Sequence, residues 1–407
     1  MTAINSVAFV TPRYGEEVIG GAEHAARMMA ENLAQKLGLN VEVLTTTALD
    51  TDTWANHFPA KTELINGIKV VRCEVDRGRT TDFSTFSGRL LKYPASATNE
   101  ECNRWIDSQG PVSHSLLESI GRTRADVVLF FPYLYHPIVR GIFMVRERSV
   151  LIPAAHDEPP AYLPIFQSVF RSAKALMFQS KAEERFVDSV MHVADKPRLR
   201  AGLGIEARAK PIQPLSSRLP KLNGEPFLLT LGRVDQLKGA TLLSELFAEY
   251  KRRNPGPLKL IFAGPVTTKP IEFPDITSLG PVDDDLKWSL LNECVGLVNP
   301  SAFESFSLVL FEAWSLCKPV IVNSQCQVTT DHVKESKGGF AFSDFAEFEA
   351  QLNRLLADSS VRVSLGSNGK HYLESNYRWE IIAEKMGKFL NEVFTAGTEL
   401  PRRSGPA

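Results

Sequence analysis

Two glutamates, Glu304 and Glu312, stand eight positions apart in the stretch NPSAFESFSLVLFEAWSLCKPV, Asn299 to Val320. An ionised carboxylate only accepts hydrogen bonds, so it suits the hydroxyl groups of a sugar. Between the two lie Ser305, Phe306, Ser307, Leu308 and Val309, where a polar loop gives way to apolar residues at helical spacing. The first N–H groups of a helix have no internal partner and attract anions, so Glu304 is expected to sit beside such donors. Taken singly, each glutamate reads as a solvated surface residue. Two cations, Arg233 and Lys238, follow another apolar run in LGRVDQLKG, Leu231 to Gly239. Each alone reads as a surface cation; together they can stabilise negative charge. Gly20-Gly21 stands between an apolar run and a helical pattern, an arrangement that presents backbone N–H groups to a phosphate or simply makes a tight turn. It is not the dinucleotide fingerprint. His156-Asp157 closes the run VLIPAAHD, where ligands of open α/β sheets bind. Asp283-Asp284-Asp285 precedes LKWSLLNE and reads as a helix cap rather than a metal site.

Buried strands and amphipathic helices must position these groups. VAFVTP, VEVLTT, KVVRC, DVVLFFP, VLIPAAHD and ALMFQS are apolar runs of strand length, separated by helical patterns such as AEHAARMMAENLAQKL and KAEERFVDSVM. A second series begins at PFLLTLGR and continues through KLIFAGP, ITSLGPV, VGLVNP, PVIVNS and GGFAF. Alternating strands and helices imply parallel sheets covered on both faces. Glu206 to Gly224, rich in Pro, Ser and Lys, reads as the linker between two domains, 1–205 and 206–378. Asp76 to Gln109 is polar and reads as a long irregular segment, either an acceptor-side surface or plain disorder. Residues 396–407 read as a polar, disordered tail.

A chain of 407 residues exceeds one ordinary core, which agrees with two domains. The net charge of −1 gives no basic field for nucleic acid. Five scattered cysteines without a Cys-x-x-Cys pair argue against a disulfide framework or zinc site and for a reducing cytoplasm. No basic-plus-apolar leader opens the chain, and no run approaches the roughly 20 apolar residues of a membrane span. Peripheral membrane contact stays open, because it needs only a local patch.

The glutamate pair, with Phe306, Ala313 and Lys318-Pro319-Val320, resembles the E-x7-E signature of family 4 retaining glycosyltransferases. Gly20-Gly21-Ala22-Glu23 resembles that family's G-G-x-E loop, and Gly232-Arg233 through Lys238-Gly239 its G-R-x-x-x-x-K-G motif. AAHDEPPAYLPIF resembles a bacterial subgroup, of cell-surface or natural-product type. Ser305, Ser307, Val309 and Cys317 depart from the usual pattern, and a serine fits at position 307 if its φ is negative. No paired glycines follow PVIVNS, where the family often has G-G-x-x-E.

The resemblance implies an α/β protein of GT-B fold. Two Rossmann-like domains would face across a cleft, with a final helix, about 379–395, crossing back to the first. It implies transfer of a sugar from a nucleotide diphosphate sugar to an acceptor hydroxyl, without metal or cofactor. Arg233 and Lys238 would hold the leaving diphosphate, with Gly232 in the same turn. Glu304 and the N–H groups of Phe306 to Val309 would orient the donor sugar, and Glu312 would accept from the ribose. Val282, in the turn Gly280-Pro281-Val282, would hold the base. Gly20 and Gly21 would close on the diphosphate, while His156, next to Asp157, would touch the sugar. A glycan, a lipid-linked sugar or a small metabolite remain equal as acceptors. A hydrolysing epimerase of the same fold and a non-catalytic nucleotide- or sugar-binding protein are the rival readings.

Overall fold

The computed structural model describes residues 3–398, apart from Ile19, Ala207, Ala209, Pro220, Lys221 and Asn223. The chain divides into two compact units, Met1–Gly204 with Trp379–Ala407, and Ile205–Arg378.

The first unit runs β1 (Ser6–Val10), α1 (Gly21–Leu37), β2 (Asn40–Thr46), β3 (Thr62–Ile65), β4 (Ile68–Cys73), α2 (Phe83–Leu90), α3 (Asn99–Gln109) and α4 (His114–Arg122). It continues with β5 (Val127–Phe130), α5 (His136–Gly141), β6 (Ser149–Leu151), α6 (Pro164–Ser172), β7 (Ala175–Phe178), α7 (Lys181–Met191) and β8 (Arg198–Arg200). The strand order is β3-β4-β2-β1-β5-β6-β7-β8. Every residue of β5 and β7 is buried, as expected of a parallel sheet covered on both faces. The edge strand β3 pairs antiparallel with β4, so the sheet is mixed rather than wholly parallel.

Two expectations are corrected here. Asp76 to Gln109 is neither irregular nor disordered. It folds into α2 and α3, which bury Phe83, Phe86, Leu90, Cys102, Trp105 and Ile106 in the first unit's core. A capping box at Thr98 and Glu101 starts α3, and the Trp105 indole donates to Ser87 Oγ at 2.9 Å. Only Tyr93, of the four aromatics in this stretch, is exposed. Strand β6 also stops at Leu151, five residues before His156. Pro153 has no N–H to donate to a ladder, and Ala154 takes a positive φ of 54°, so the chain leaves the sheet early.

The second unit runs β9 (Phe227–Leu231), α8 (Ala240–Arg253), β10 (Lys259–Ala263), β11 (Ile276–Ser278), α9 (Asp284–Glu293), β12 (Gly296–Asn299) and α10 (Leu308–Ser315). It ends with β13 (Val320–Asn323), α11 (Gln327–Ser336), β14 (Gly339–Phe342), α12 (Phe345–Ala357) and α13 (Ser359–Asn376). All pairings in its sheet, β11-β10-β9-β12-β13-β14, are parallel. Strands β9 and β12 are neighbours whose successors diverge to opposite sides, so their carboxyl ends bound a crevice. Of the predicted linker, residues 207, 209, 220, 221 and 223 lie outside the described residues. The rest is tied to α9: Leu215 N–H donates to Glu293 at 2.6 Å and Ser289 Oγ to the Gln213 carbonyl at 2.7 Å.

The last helix, α14 (Trp379–Thr398), returns to the first unit. Trp379, Ile382, Ala383, Met386, Phe389, Leu390 and Val393 are buried at helical spacing. Lys36 of α1 reaches Glu380 at 2.8 Å, and a Cβ on Gly387 would stand 2.9 Å from Leu37. Residues 396–398 of the expected disordered tail are instead helical, and 399–407 lie outside the described residues.

Candidate active site

In the second unit the loops after β9 and β12 meet, because these strands flank the switch point. Gly239 makes the approach: its φ is +77°, and a Cβ there would stand 2.5 Å from the Pro300 carbonyl oxygen. Lys238 therefore reaches across, and its Nζ lies 2.9 Å from Glu304 Oε1. Asp235 Oδ1 accepts from the Lys238 N–H at 2.7 Å, while its Oδ2 lies 3.6 Å from Arg233 Nε. The Arg233 side chain is 61% exposed, so its guanidinium is available to a ligand.

Asn299 organises the β12 loop. Its Oδ1 accepts from the Ser301 N–H at 3.0 Å, and its Nδ2 donates to Ser307 Oγ at 2.8 Å. Ser307 is not at negative φ, as its side chain led us to expect. It takes φ 69°, ψ 68° in the left-handed region, and α10 starts directly after it. The turn into α10 demands that conformation, and the hydrogen bond from Asn299 offsets part of its cost. Ser307→Ala is expected to destabilise the second unit by about 1–2 kcal/mol, since it keeps the strain and loses the bond. Ser307→Gly should be near neutral, because relief of about 1 kcal/mol of strain offsets the lost bond. Equal urea midpoints for the two variants would contradict this account.

Ser305, Phe306, Leu308 and Val309 complete the junction. Phe306 is buried and stacks on Phe311, with centroids 4.6 Å apart and planes 4° apart. His332, Tyr372, Tyr377 and Trp314 close an aromatic cluster around this pair. Glu312 lies further along α10, where Lys287 of α9 donates to it at 2.9 Å and also pairs with Asp284 at 3.0 Å. Burial alone would lower the Lys287 pKa, but Glu312 and Asp284 outweigh it and hold the ammonium above its ordinary range. Asp283 caps α9 by accepting from the Leu286 N–H at 2.8 Å. Asp284 and Asp285 pair with Arg208. Among the described residues no His, Cys, Asp and Glu cluster is arranged to hold a metal ion. The Gly280-Pro281-Val282 turn is drawn towards β9: the Gly280 carbonyl accepts from the Gly264 N–H at 2.8 Å, and Gly264 packs on Gly232.

The first unit holds the remaining candidates on its own sheet's carboxyl edge. Gly20 caps α1 and Gly21 opens it. A side chain at Gly20 would collide with the Glu23 carboxylate, which is ion-paired to Arg13. His156 Nε2 lies 3.6 Å from Glu158 Oε2, and Asp157 accepts from Tyr162 Oη at 2.8 Å. The buried Glu183 carboxylate fixes the chain just before His156 by accepting from the N–H groups of Ala155 at 2.8 Å and Gln179 at 2.6 Å. Burial pushes its pKa up to about 8 against those bonds.

Sequence reasoning gave no role to Asn299, Lys287, Arg13 or Glu183. Ser180 with Glu183 stands at capping spacing; Asn299 meets Ser301 and Ser307 two and eight residues on, while Arg13 reaches Leu49 across 36 residues and Lys287 reaches Glu312 across 25.

Residues 212–372 match the family model described as glycosyl transferases group 1. D-inositol 3-phosphate glycosyltransferase of Corynebacterium urealyticum is 23% identical over 95% of this chain and 94% of that protein. Glycosyltransferase 1 domain-containing protein 1 of Xenopus tropicalis is 25% identical over 154 residues, 36% of this chain, and the match spans 44% of that protein. Among solved structures, sucrose-phosphate synthase of Thermosynechococcus elongatus has a TM-score of 0.70 at 18% identity, covering 96% of this chain and 100% of that one. That likeness is one of fold, and the fold is GT-B: two α/β sheets, parallel but for the edge strand β3, with α14 returning to α1. No helix among the described residues is long and apolar enough to cross a membrane. The family match falls across the unit that carries Lys238, Glu304 and Glu312, so over residues 212–372 the chain is similar to the group 1 glycosyltransferases.

Proposed function

We propose that the protein transfers a sugar from a nucleoside diphosphate sugar to an acceptor hydroxyl with retention of anomeric configuration, in glycan or glycoconjugate biosynthesis. The observation that carries this reading is the Lys238–Glu304 pair, 2.9 Å apart, beside the start of α10. A cation and a carboxylate at a helix N-terminus match a donor with a diphosphate at one end and hydroxyls at the other. Arg233 and Lys238 stabilise the charge that builds on the departing diphosphate. Glu304 and the N–H groups of Phe306 to Val309 orient the sugar. Glu312, held by Lys287, accepts from the ribose, and the Val282 turn takes the base. Gly20 and Gly21 give the diphosphate close access to backbone, and His156 donates to a sugar hydroxyl with Asp157 next to it.

Supporting the retaining route is a set of groups rich in diphosphate and hydroxyl contacts and poor in an isolated general base. The acceptor oxygen bonds to the anomeric carbon on the face from which the diphosphate leaves. The anomeric carbon–oxygen bond breaks, and the departing phosphate oxygen takes the acceptor's proton. His156 or Asp157 acting as base on the opposite face would instead invert the centre.

The test is turnover of a nucleotide-sugar panel with acceptors, read by proton NMR before mutarotation. An α-linked donor is expected to give an α-linked product, with turnover unchanged in EDTA, since Arg233 and Lys238 supply the counter-charge. A β-linked product would sink the mechanism, and loss in EDTA restored by Mg²⁺ would sink the counter-charge assignment. Turnover without any acceptor would favour the epimerase reading, and tight donor binding without turnover a binding protein.

A further inference from the structure

Two neighbouring strands of the second unit, β12 and β13, each end on a buried asparagine, Asn299 and Asn323. Each side-chain oxygen accepts from the backbone N–H two residues on, Ser301 for Asn299 and Gln325 for Asn323, both at 3.0 Å. Such a turn is common after an asparagine. The amide nitrogens differ in where they go. Asn299 donates within its own loop, to Ser307 Oγ at 2.8 Å. Asn323 reaches into the adjacent loop and donates to the Pro300 carbonyl at 3.0 Å.

The peptide between Pro300 and Ser301 is therefore held on both edges, its N–H by Asn299 and its carbonyl by Asn323. A peptide group is planar, so two hydrogen bonds on opposite edges fix its orientation. Gly239 rests on the same carbonyl, since a Cβ there would stand 2.5 Å from the Pro300 oxygen. Lys238 is the adjacent residue, and its Nζ lies 2.9 Å from Glu304. On the other side, Ser301 Oγ donates to the Phe303 carbonyl at 2.9 Å and accepts from the Phe303 N–H at 3.3 Å. These bonds carry the orientation to the residue before Glu304. One peptide thus sets both ends of the ion pair, and Asn323 holds it from a third strand. A buried carbonyl is costly to leave without a donor, so loss of the Asn323 amide favours a turn of the peptide that moves both ends.

We propose that Asn323 is a positioning residue for sugar transfer: by holding the Pro300 carbonyl it sets Lys238 against Glu304. The word transfer rests on the transferase reading; the hold on the ion pair does not. The first measurement uses the full chain without ligand. Lysines are acetylated with acetic anhydride and the rate at each is followed by mass spectrometry, with Lys269, exposed in the same unit, as internal reference. Asn323→Ala is expected to label Lys238 about threefold faster than wild type, as loss of a part-exposed ion pair allows, with Lys269 unchanged. Asn323→Ser, whose shorter side chain can still accept from the Gln325 N–H but falls short of Pro300, should behave alike and serves if the alanine variant does not fold. The second measurement is kcat on the donor and acceptor that wild type turns over best. Asn323→Ala should lower it by about 10–10²-fold, the scale of a small misplacement. In a Lys238→Ala background the same change should cost less than about twofold, whereas partial unfolding would cost the same in both backgrounds. Equal Lys238 labelling in wild type and both variants, or an equal fold-loss of kcat in the two backgrounds, would overturn the proposal and leave Asn323 a turn former only. Wild type without turnover on any donor would strike the transferase reading, and the labelling alone then decides whether Asn323 holds the pair.

Discussion

Lys238→Ala is expected to lower kcat by about 10²–10³-fold while the fold survives, the loss typical of removing one preorganised contact to a developing anion. The side chain is one-third exposed, so its removal leaves no large cavity. Its backbone N–H still binds Asp235, so the turn after β9 keeps its shape. The change does leave Glu304, 14% exposed, without its ion-pair partner. Lys238→Ala combined with Glu304→Gln separates the two effects. If both residues act on the same bound donor, the double variant loses far less than the product of the single losses. Arg233→Ala should show a loss of the same order in kcat, because its exposed guanidinium contributes little to the folded state. A kcat within tenfold of wild type for Lys238→Ala, with circular dichroism unchanged, would remove Lys238 from the leaving-group role.

The second unit should lose about 3 kcal/mol of stability between pH 6.5 and pH 4 through one side chain, His332. This histidine is 4% exposed, packed edge-on to Phe306 and Phe311, with Nδ1 3.1 Å from Tyr372 Oη. Burial pulls its pKa down to about 4, opposed by the charge of Asp331. In the unfolded chain the value is about 6.5. Between these values the unfolded state binds a proton that the native state refuses, so stability rises with pH across the window. The contribution is fully present above about pH 6.5 and is lost as the pH falls towards 4. His332→Phe keeps the ring packing and removes the titration. Urea unfolding followed by tryptophan fluorescence at pH 4 and pH 7 should show the wild-type loss much reduced in the variant. An identical loss in both would place the acid sensitivity elsewhere. In the first unit His136, also lowered to about 4 by burial, is opposed by Glu183 at about 8. The Glu183 contribution grows on acidification, so acid should loosen the second unit first.

Much of this fold is written locally. Strands buried on both faces must be unbroken apolar runs, and helices between them must show one apolar stripe, so β1, β2, β5, β7, β9, β12, β13 and α14 are readable from residue type and period alone. The charged pairs that follow a strand at fixed spacing, Arg233 with Lys238 and Glu304 with Glu312, are visible in the sequence, as is Asp283, which caps α9.

What the tertiary structure decided concerns groups whose partners are remote in sequence. Residues 76–109 looked irregular because their charged residues mask a short apolar face; packing against the rest of the first core makes that face a pair of helices. Ser307 took a glycine's conformation because Asn299, eight residues earlier, holds its hydroxyl. Lys287 meets Glu312 across 25 residues, and Lys238 meets Glu304 across 66. Composition and periodicity fix which face of an element is buried. Which charge ends opposite which depends on strand order, and strand order is settled only when the sheets assemble.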